Sequence, residues 1–169
     1  NAGDDTIAAG AGDDQIIDAE GNDTYDGGDG VDELEFDGHG GGVTVDTVAG
    51  TVAHASGEID LIAGIEEIRA TEFEDVLIGD DADNQLVGLQ GDDILDGGAG
   101  DDLLVGGSGD DDLSGGDGFD IAVYSSKFDT GSYVVNVDLE SGEAFDQFGG
   151  FDLLFDIEGV VGSSGNDFL

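Results

Sequence analysis

Aspartates set between glycines are the residues of this chain best suited to chemistry, because they offer oxygen ligands at fixed spacing. The stretch GGAGDDLLVGGSGDDDLSGG, residues 97–116, places three glycines and two or three aspartates in every nine residues. Asp and Glu number 43 against two Lys and Arg, so the formal net charge is −41 over 169 residues. Self-repulsion on that scale opposes a compact state. The chain therefore needs positive charge from outside, which a cation supplies and which nucleic acid or an anionic membrane cannot.

A nine-residue unit with Asp at position six and an apolar residue at position eight tiles residues 1–35 and again 73–123, with a partial copy at 162–169. High charge alone would favour disorder, but a constant apolar position argues for a folded repeat. Position six is occupied by Asp5, Asp14, Asp23, Asp32, Asp75, Asn84, Asp93, Asp102, Asp111, Asp120 and Asp167.

The composition of one unit predicts a tight turn followed by a very short strand. Glycines at positions one, two and four allow positive φ, and the alternation of side chains along a strand directs position eight inward. Two units then form one coil, and coils stack by parallel pairing with equivalent turns 18 residues apart. The aspartates of stacked turns face each other across a narrow gap. Because Ca²⁺ takes six to eight carboxylate and carbonyl oxygens in a flexible shell, the sequence predicts an all-β solenoid that holds several Ca²⁺ ions.

The units GGAGDDLLV, GGSGDDDLS and GGDGFDIAV resemble the nonapeptide of RTX (repeats-in-toxin, haemolysin-type) calcium-binding proteins. The resemblance implies a right-handed parallel β-roll with Ca²⁺ between successive turns on the same side. It also implies the ligands: one turn gives the carbonyls of positions two and four and the Asp at position six. The stacked turn gives the carbonyls of positions one and three and its own Asp.

Carried onto this sequence, the family pattern gives four complete pairs of turns and two weaker pairs. The complete pairs join Gly98, Gly100 and Asp102 to Gly115, Asp117 and Asp120; Leu89, Gly91 and Asp93 to Gly106, Ser108 and Asp111; Gly10, Gly12 and Asp14 to Gly27, Asp29 and Asp32; and Asn1, Gly3 and Asp5 to Asp18, Glu20 and Asp23. The weaker pairs join Asp75 to Asp93, where Thr71 and Phe73 replace glycine, and Asn84 to Asp102, where Asn84 is neutral.

Two accessory segments separate and follow the nonapeptide blocks. Residues 1–35 form the first block, 36–72 an accessory segment, 73–123 the second block, and 124–169 a second accessory segment with the start of a third block. The accessory segments are duplicated, since VTVD at 43–46 matches VNVD at 135–138 and the larger repeat is about 90 residues. We predict that they form strands and that IDLIAGIEEI rejoins the roll, so that all four parts make one β-roll domain. The chain begins and stops inside a repeat, which indicates a piece of a longer polypeptide.

Two further positions of the unit have predicted roles. The aspartates at position five, residues 4, 13, 83, 92, 101 and 110, are expected to point into solvent and to raise the negative potential that attracts Ca²⁺. Position seven faces outward and is apolar at Val76, Ile94, Leu103 and Ile121. Such stripes mark covered surfaces. We expect the accessory segments to fold back over this one; the alternative is an interface for self-association or for a cell-surface partner.

The sequence gives no signal for catalysis. His39 and His54 lie in separate loops without the spacing of a zinc protease, and no Cys is present for a thiol nucleophile or a disulfide. Glycine-rich turns that carry adjacent Asp repel phosphate. No apolar run is long enough to insert into a membrane. We therefore expect a protein that is not an enzyme.

The expected function is that of a calcium-binding β-roll module of a secreted bacterial protein. The RTX resemblance implies type I secretion, folding on Ca²⁺ binding outside the cell, and a structural or secretion-assisting role at an extracellular or cell-surface location. Two alternatives remain open: the recognition face of an adhesin for a glycan, ice or a cell surface, and the non-catalytic tail of a secreted enzyme. Outward threonine or aromatic ladders would favour the adhesin.

Overall fold

The fold consists of short β-strands in a computed structural model that describes residues 3–36, 38–124, 134–145 and 150–169. Within these ranges no helix is long and apolar enough to cross a membrane. Most strands have three to six residues, as expected for a chain in which glycine turns interrupt each apolar position. The strands are β1 Thr6–Ala11, β2 Gln15–Ile17, β3 Thr24–Asp29, β4 Glu33–Glu35, β5 Val43–Asp46, β6 Thr51–His54, β7 Ile59–Ala63, β8 Glu67–Arg69, β9 Val76–Ile78, β10 Gln85–Gln90, β11 Ile94–Ala99, β12 Leu103–Ser108, β13 Asp112–Asp117, β14 Ile121–Val123, β15 Asn136–Asp138, β16 Glu143–Phe145, β17 Phe151–Phe155 and β18 Gly159–Val161.

Successive coils pair in parallel with a register of 18 residues, as the sequence predicts. Thr6 of β1 pairs with Thr24 of β3, and Gln85 of β10 pairs with Leu103 of β12. Alternate strands go to opposite sides, which gives an 11-stranded sheet, β1-β3-β7-β6-β5-β9-β11-β13-β17-β16-β15, and a 7-stranded sheet, β18-β14-β12-β10-β8-β4-β2. The predicted all-β, parallel β-roll is confirmed.

The accessory segments extend the two sheets. In the first segment β5 and β7 pair with β9 and β3 in parallel, and β6 lies between them in antiparallel pairing. Strand β8 then joins the other sheet between β4 and β10. The second segment repeats this arrangement with β15, β16 and β17, followed by β18 beside β14. Strands β5 and β6 occupy the predicted strand–turn–strand, and β7 and β8 rejoin the roll as predicted.

The core is a column of apolar side chains at position eight, one from each nine-residue unit. Leu77, Leu86, Leu95 and Leu104 are all 0 % exposed. Each lies directly above its partner 18 residues away, as in the pairing of Leu86 with Leu104. Burial of about 25 cal/mol per Å² makes this column the main apolar contribution to stability. It also determines which side chains of each turn face inward.

The outward apolar stripe is only partly covered in the structure. Val76 pairs with Ile94, and Leu103 pairs with Ile121, as the 18-residue spacing predicts. The accessory strands β5 and β18 lie beside Val76 and Ile121 within the same sheets, and Ile94 remains 49 % exposed. The prediction that the accessory segments fold back over the stripe is therefore wrong for Ile94. The physical reason is that backbone pairing places the accessory strands at the edges of the roll strands, where they satisfy backbone hydrogen bonds.

Candidate calcium-binding turns

The aspartates at position six form a ladder of side chains along the stacked turns. One carboxylate oxygen, Oδ1, accepts the backbone N–H of the position-six residue in the preceding coil. Asp102 Oδ1 accepts from Asn84 at 2.7 Å, and the N–H of Asp102 donates to Asp120 Oδ1 at 2.9 Å. The same bond joins Asp14 to Asp32 at 2.9 Å. Each carboxylate is therefore held at the junction between two coils.

The second oxygen of several of these carboxylates has no hydrogen-bond partner within the described part of the chain. The Oδ2 atoms of Asp32, Asp93, Asp102 and Asp120 are buried and make no hydrogen bond there. A buried oxygen without a partner is costly, and a carboxylate oxygen that faces a turn is a ligand for a hard cation. The residues present therefore fit Ca²⁺.

Position-one glycines make room for these oxygens. A Cβ atom at Gly115 would lie 2.5 Å from Asp120 Oδ2, and a Cβ at Gly97 would collide with Asp102 Oδ2. Gly97 has ordinary φ, whereas Gly98 and Gly100 have φ of +99° and +116°. Gly97 therefore does not use the positive φ that glycine allows. In this unit the glycines at positions two and four use it, and position one requires the absence of a side chain.

Backbone carbonyls of positions two and four point toward the next coil. A Cβ at Gly28 would collide with Gly10 O, and one at Gly100 would lie 2.6 Å from Ala82 O. The position-three carbonyls instead accept backbone hydrogen bonds, as when Gly12 N–H donates to Asp29 O at 2.7 Å. A carbonyl oxygen has a second lone pair, so this hydrogen bond still leaves the position-three carbonyl able to bind Ca²⁺. Coordination of Ca²⁺ by position three therefore stays a prediction.

The electrostatics of the stack disfavour charge in the absence of a cation. Burial raises the pKa of Asp93 to about 8 and that of Asp102 to about 6. Burial likewise raises the pKa of Asp75 and of Asp120. The charge of Asp111 adds to the effect on Asp93. A divalent cation between these groups would reverse the effect by favouring their ionised forms.

Comparison of the sequence with a family model agrees with this geometry. The sequence model of the RTX calcium-binding nonapeptide repeat (4 copies) matches residues 1–34, 62–95 and 87–122, more than half of the chain. The chain belongs to the RTX calcium-binding nonapeptide repeat family. A solved structure titled as the extracellular lipase LipA from Serratia marcescens aligns with 92 % of this chain at 16 % identity and a TM-score of 0.21, and the chain spans 37 % of that lipase chain. A comparison with curated protein sequences found no match.

Where a unit departs from the RTX pattern, protein groups hold the carboxylate. Thr71 occupies position two of the Asp75 unit, and its N–H and Oγ1 both donate to Asp75 Oδ2 at 2.9 Å. Ser163 occupies the same position in the Asp167 unit, and its Oγ donates to Asp167 Oδ1 at 2.7 Å. A hydroxyl thus bonds the carboxylate directly in both units, which supports the prediction that the Asp75–Asp93 pair is weak. Asn84 Oδ1 accepts the N–H of Asp80 at 2.8 Å.

The first predicted pair of RTX turns has a different construction. Asn1 lies outside the described residues, and Asp5 is exposed. Asp18 stands at position one, where most other units have glycine, and Tyr25 stands at position eight. The Tyr25 hydroxyl lies 2.6 Å from Asp18 Oδ1 and 2.8 Å from Asp23 Oδ2. These contacts make this pair the least regular of the four complete pairs.

Of the remaining predicted ligands, three lie between strands: Gly3, Glu20 and Gly91. The others lie in the C-terminal halves of strands β3, β10, β11, β12 and β13: Gly27, Leu89, Gly98, Gly106, Ser108 and Asp117. Their coordination of Ca²⁺ stays a prediction.

Position-five aspartates are exposed, as predicted, but they also form an outer ladder that the sequence analysis missed. Asp101 Oδ1 accepts the N–H of Phe119 at 2.9 Å, and Asp83 Oδ1 accepts the N–H of Asp101 at 2.9 Å. The same bond joins Asp110 to Phe151. In this ladder the carboxylate binds the amide of the following coil, in the opposite direction to the inner ladder.

His39 and His54 come together, contrary to the prediction of unrelated loops. Their ring centroids are 5.1 Å apart. His39 Nε2 lies 2.9 Å from Asp18 Oδ2, and His54 Nε2 lies 2.6 Å from Asp60 Oδ2. The prediction failed because the antiparallel hairpin of β5 and β6 brings the end of β6 back to the loop after β4. One sequence signal was available: these are the two histidines of the chain, and both fall in the same accessory segment.

Proposed function

We propose that this chain is a calcium-binding β-roll module of a secreted bacterial protein, and that it folds when Ca²⁺ binds outside the cell. The observation that carries the proposal is the set of buried carboxylate oxygens without hydrogen bonds in the described residues, those of Asp32, Asp93, Asp102 and Asp120. Each faces the room that a position-one glycine leaves. A hard cation such as Ca²⁺, which binds oxygen ligands in a flexible coordination shell, fits that environment better than any group of the chain itself.

The charge balance supports coupling between folding and Ca²⁺. A net charge of −41 keeps the chain extended where Ca²⁺ is scarce, which suits transport by a type I secretion system of the kind that the family implies. At the millimolar Ca²⁺ outside a cell, sites with dissociation constants of about 10⁻⁴ to 10⁻³ M would fill. Binding free energy then becomes folding free energy. In this role the module acts as a structural and secretion-assisting part of a longer protein.

A calcium titration followed by far-ultraviolet circular dichroism tests the proposal. In chelator the protein is expected to lack most of its β signal, and Ca²⁺ is expected to restore it cooperatively. Mg²⁺ at the same concentration is the matched control and should fail, because it demands rigid octahedral geometry. A full β signal in chelator would contradict folding on Ca²⁺ binding. Two or fewer bound Ca²⁺ ions by calorimetry would contradict the stacking of ligands proposed for the turns.

A further inference from the structure

The two histidines of the chain meet a buried carboxylate at the junction between the first nonapeptide block and the first accessory segment. We call Asp18, His39, His54 and Asp60 the histidine cluster. Both imidazole Nε2 atoms face Asp18 Oδ2, at 2.9 Å from His39 and 3.6 Å from His54. One ligand atom from each of Asp18, His39 and His54 lies within 4.8 Å of the other two. A tetrahedral ion with bonds of about 2.0–2.1 Å separates neighbouring ligand atoms by about 3.3 Å, and the two observed distances bracket that value.

Burial makes the histidine cluster unlike a surface group of charges. The side chain of Asp18 is 0 % exposed and that of His54 is 4 % exposed. Asp18 Oδ2 is buried and makes no hydrogen bond to the residues that the structure describes, although two imidazole nitrogens face it. A buried carboxylate oxygen in that situation requires an explanation. A metal ion between the three atoms provides one.

Two neighbouring groups, Tyr25 and Asp60, are placed to support a metal ion here. The Tyr25 hydroxyl lies 2.6 Å from Asp18 Oδ1, on the side away from the imidazoles, and orients the carboxylate. Asp60 Oδ1 accepts the N–H of Asp23 at 2.7 Å, while Asp60 Oδ2 lies 2.6 Å from His54 Nε2. The Tyr25 contact is of the outer-shell kind that fixes ligand orientation in metal sites. Asp60 Oδ2 instead lies at the nitrogen that would bind the ion, so on metal binding it would exchange its hydrogen bond with His54 Nε2 for a place as the fourth ligand.

The duplicated half of the chain lacks these groups. The strand pairings make Tyr25 equivalent to Leu113, because Tyr25 pairs with Ile62 and Leu113 pairs with Leu154. Asp18 is equivalent by the same register to a position-one glycine. No histidine occurs in the second copy. The first copy therefore departs from the repeat at Asp18 and Tyr25 and adds both histidines, and all four departures meet at one place.

The geometry points to a second kind of metal site, in which Asp18 Oδ2, His39 Nε2 and His54 Nε2 bind a divalent transition-metal ion of the Zn²⁺ class. Two imidazoles and a carboxylate suit Zn²⁺, whereas Ca²⁺ prefers oxygen ligands alone. The carboxylates of Asp18 and Asp60 balance the charge of the ion when both imidazoles are neutral. A cavity of about 420 Å³, lined by His39, His54, Glu20 and Glu58 among others, gives the ion a path from solvent. This site goes beyond the calcium function and does not depend on it.

Titration of the Ca²⁺-saturated chain with Zn²⁺ and with Co²⁺ tests the site, because saturating Ca²⁺ occupies the acidic turns first. We expect one tight Zn²⁺ by calorimetry, and a Co²⁺ visible spectrum of the intense tetrahedral type. His39→Ala should weaken Zn²⁺ binding more than about 100-fold, since even outer-shell changes cost about 10- to 100-fold. Tyr25→Phe should weaken it about 10-fold. Asp26→Asn, which removes an exposed charge next to Tyr25, should leave the affinity unchanged.

The Ca²⁺-induced β signal of each variant serves as the folding control. His39 is the primary variant because its side chain is 14 % exposed at the cavity wall and the residue lies outside the β-strands. His54→Ala is the second variant. Equal Zn²⁺ affinity in the wild type and His39→Ala, or no tetrahedral Co²⁺ spectrum in the wild type, would overturn the site and leave a metal-free network of histidines and aspartates. Failure of the β signal in wild type would instead contradict the calcium proposal.

Discussion

Adjacent aspartates with opposite environments allow a sharp test of calcium ligation. Asp102 is 2 % exposed, and its Oδ2 atom lacks a hydrogen bond in the described residues. Asp101 is exposed, and its Oδ1 accepts the N–H of Phe119 at 2.9 Å. Asp102→Asn and Asp101→Asn make the same chemical change and remove the same formal charge. Each retains an amide oxygen that can accept the backbone hydrogen bond of the original carboxylate.

The expected size of the effect follows from the burial of Asp102. Its pKa is raised from 3.8 to about 6 mainly by burial. At 1.36 kcal/mol per pKa unit, ionisation at neutral pH therefore costs the folded state without calcium about 3 kcal/mol. Asp102→Asn removes that cost, so it should stabilise the fold in chelator. With Ca²⁺ the sign reverses, because the same carboxylate serves the pairs with Asn84 and Asp120. A tenfold loss at each of the two sites weakens calcium-driven folding by about 3 kcal/mol.

Paired titrations of the two variants measure this reversal. Circular dichroism gives the residual β signal in chelator and the Ca²⁺ concentration at the folding midpoint. Asp102→Asn should raise the residual signal and move the midpoint to higher Ca²⁺ with lower cooperativity. Asp101→Asn should leave the midpoint nearly unchanged. Equal shifts in the two variants would refute the reasoning, because calcium would then act by diffuse screening of the whole charge.

Three more outcomes follow from the turns. Gly28→Ala and Gly10→Ala both place a side chain at positive φ. A Cβ at residue 28 would also collide with Gly10 O, whereas a Cβ at residue 10 would have none of the described atoms within 4 Å. Thermal melts in Ca²⁺ should therefore show a loss of about 1–2 kcal/mol for Gly10→Ala and a much larger one for Gly28→Ala; similar losses would contradict close stacking. Leu89→Gly should stabilise the calcium form by about 1 kcal/mol, because Leu89 has a φ of +83°; a lower melting temperature would show that its side-chain packing matters more. In chelator, lowering the pH from about 9 to about 5 should increase the β signal. The pKa is raised to about 8 at Asp93 and to about 6 at Asp102, so the folded state keeps protons that the unfolded chain has released. A β signal that falls over this range would contradict the assigned burial.

Much of the roll could be predicted from the sequence because its information is local and repeated. The apolar residue at position eight recurs every nine residues, so one assignment of inside and outside applies to every strand. Pairing of Leu86 with Leu104 and of Ile94 with Asp112 then follows from the 18-residue spacing. The position of the Asp ladder follows equally, since a side chain two residues before an inward position also faces inward.

The features that were missed depend on contacts between distant parts of the chain. The meeting of His39 and His54 depends on where the antiparallel strand β6 lies, and no repeat encodes that. The role of position-one glycines depends on which way Asp102 turns its second oxygen. The outer ladder of Asp101 depends on the exact height of one coil above the next. In each case the residue type is visible in the sequence, whereas its partner depends on how the coils stack.

The inner ladder continues through the accessory segments. Asp23 N–H donates to Asp60 Oδ1 at 2.7 Å, and Asp111 N–H donates to Asp152 Oδ1 at 3.1 Å, so an accessory carboxylate takes the place of a nonapeptide carboxylate. The described roll is thus a one-dimensional lattice in which each coil is coupled only to its two neighbours. In such a lattice, an ordered coil favours ordering of the next one, so folding propagates from coil to coil. Length can then change in steps of a whole coil of two units, whereas the gain or loss of a single unit would transfer every later strand to the opposite sheet.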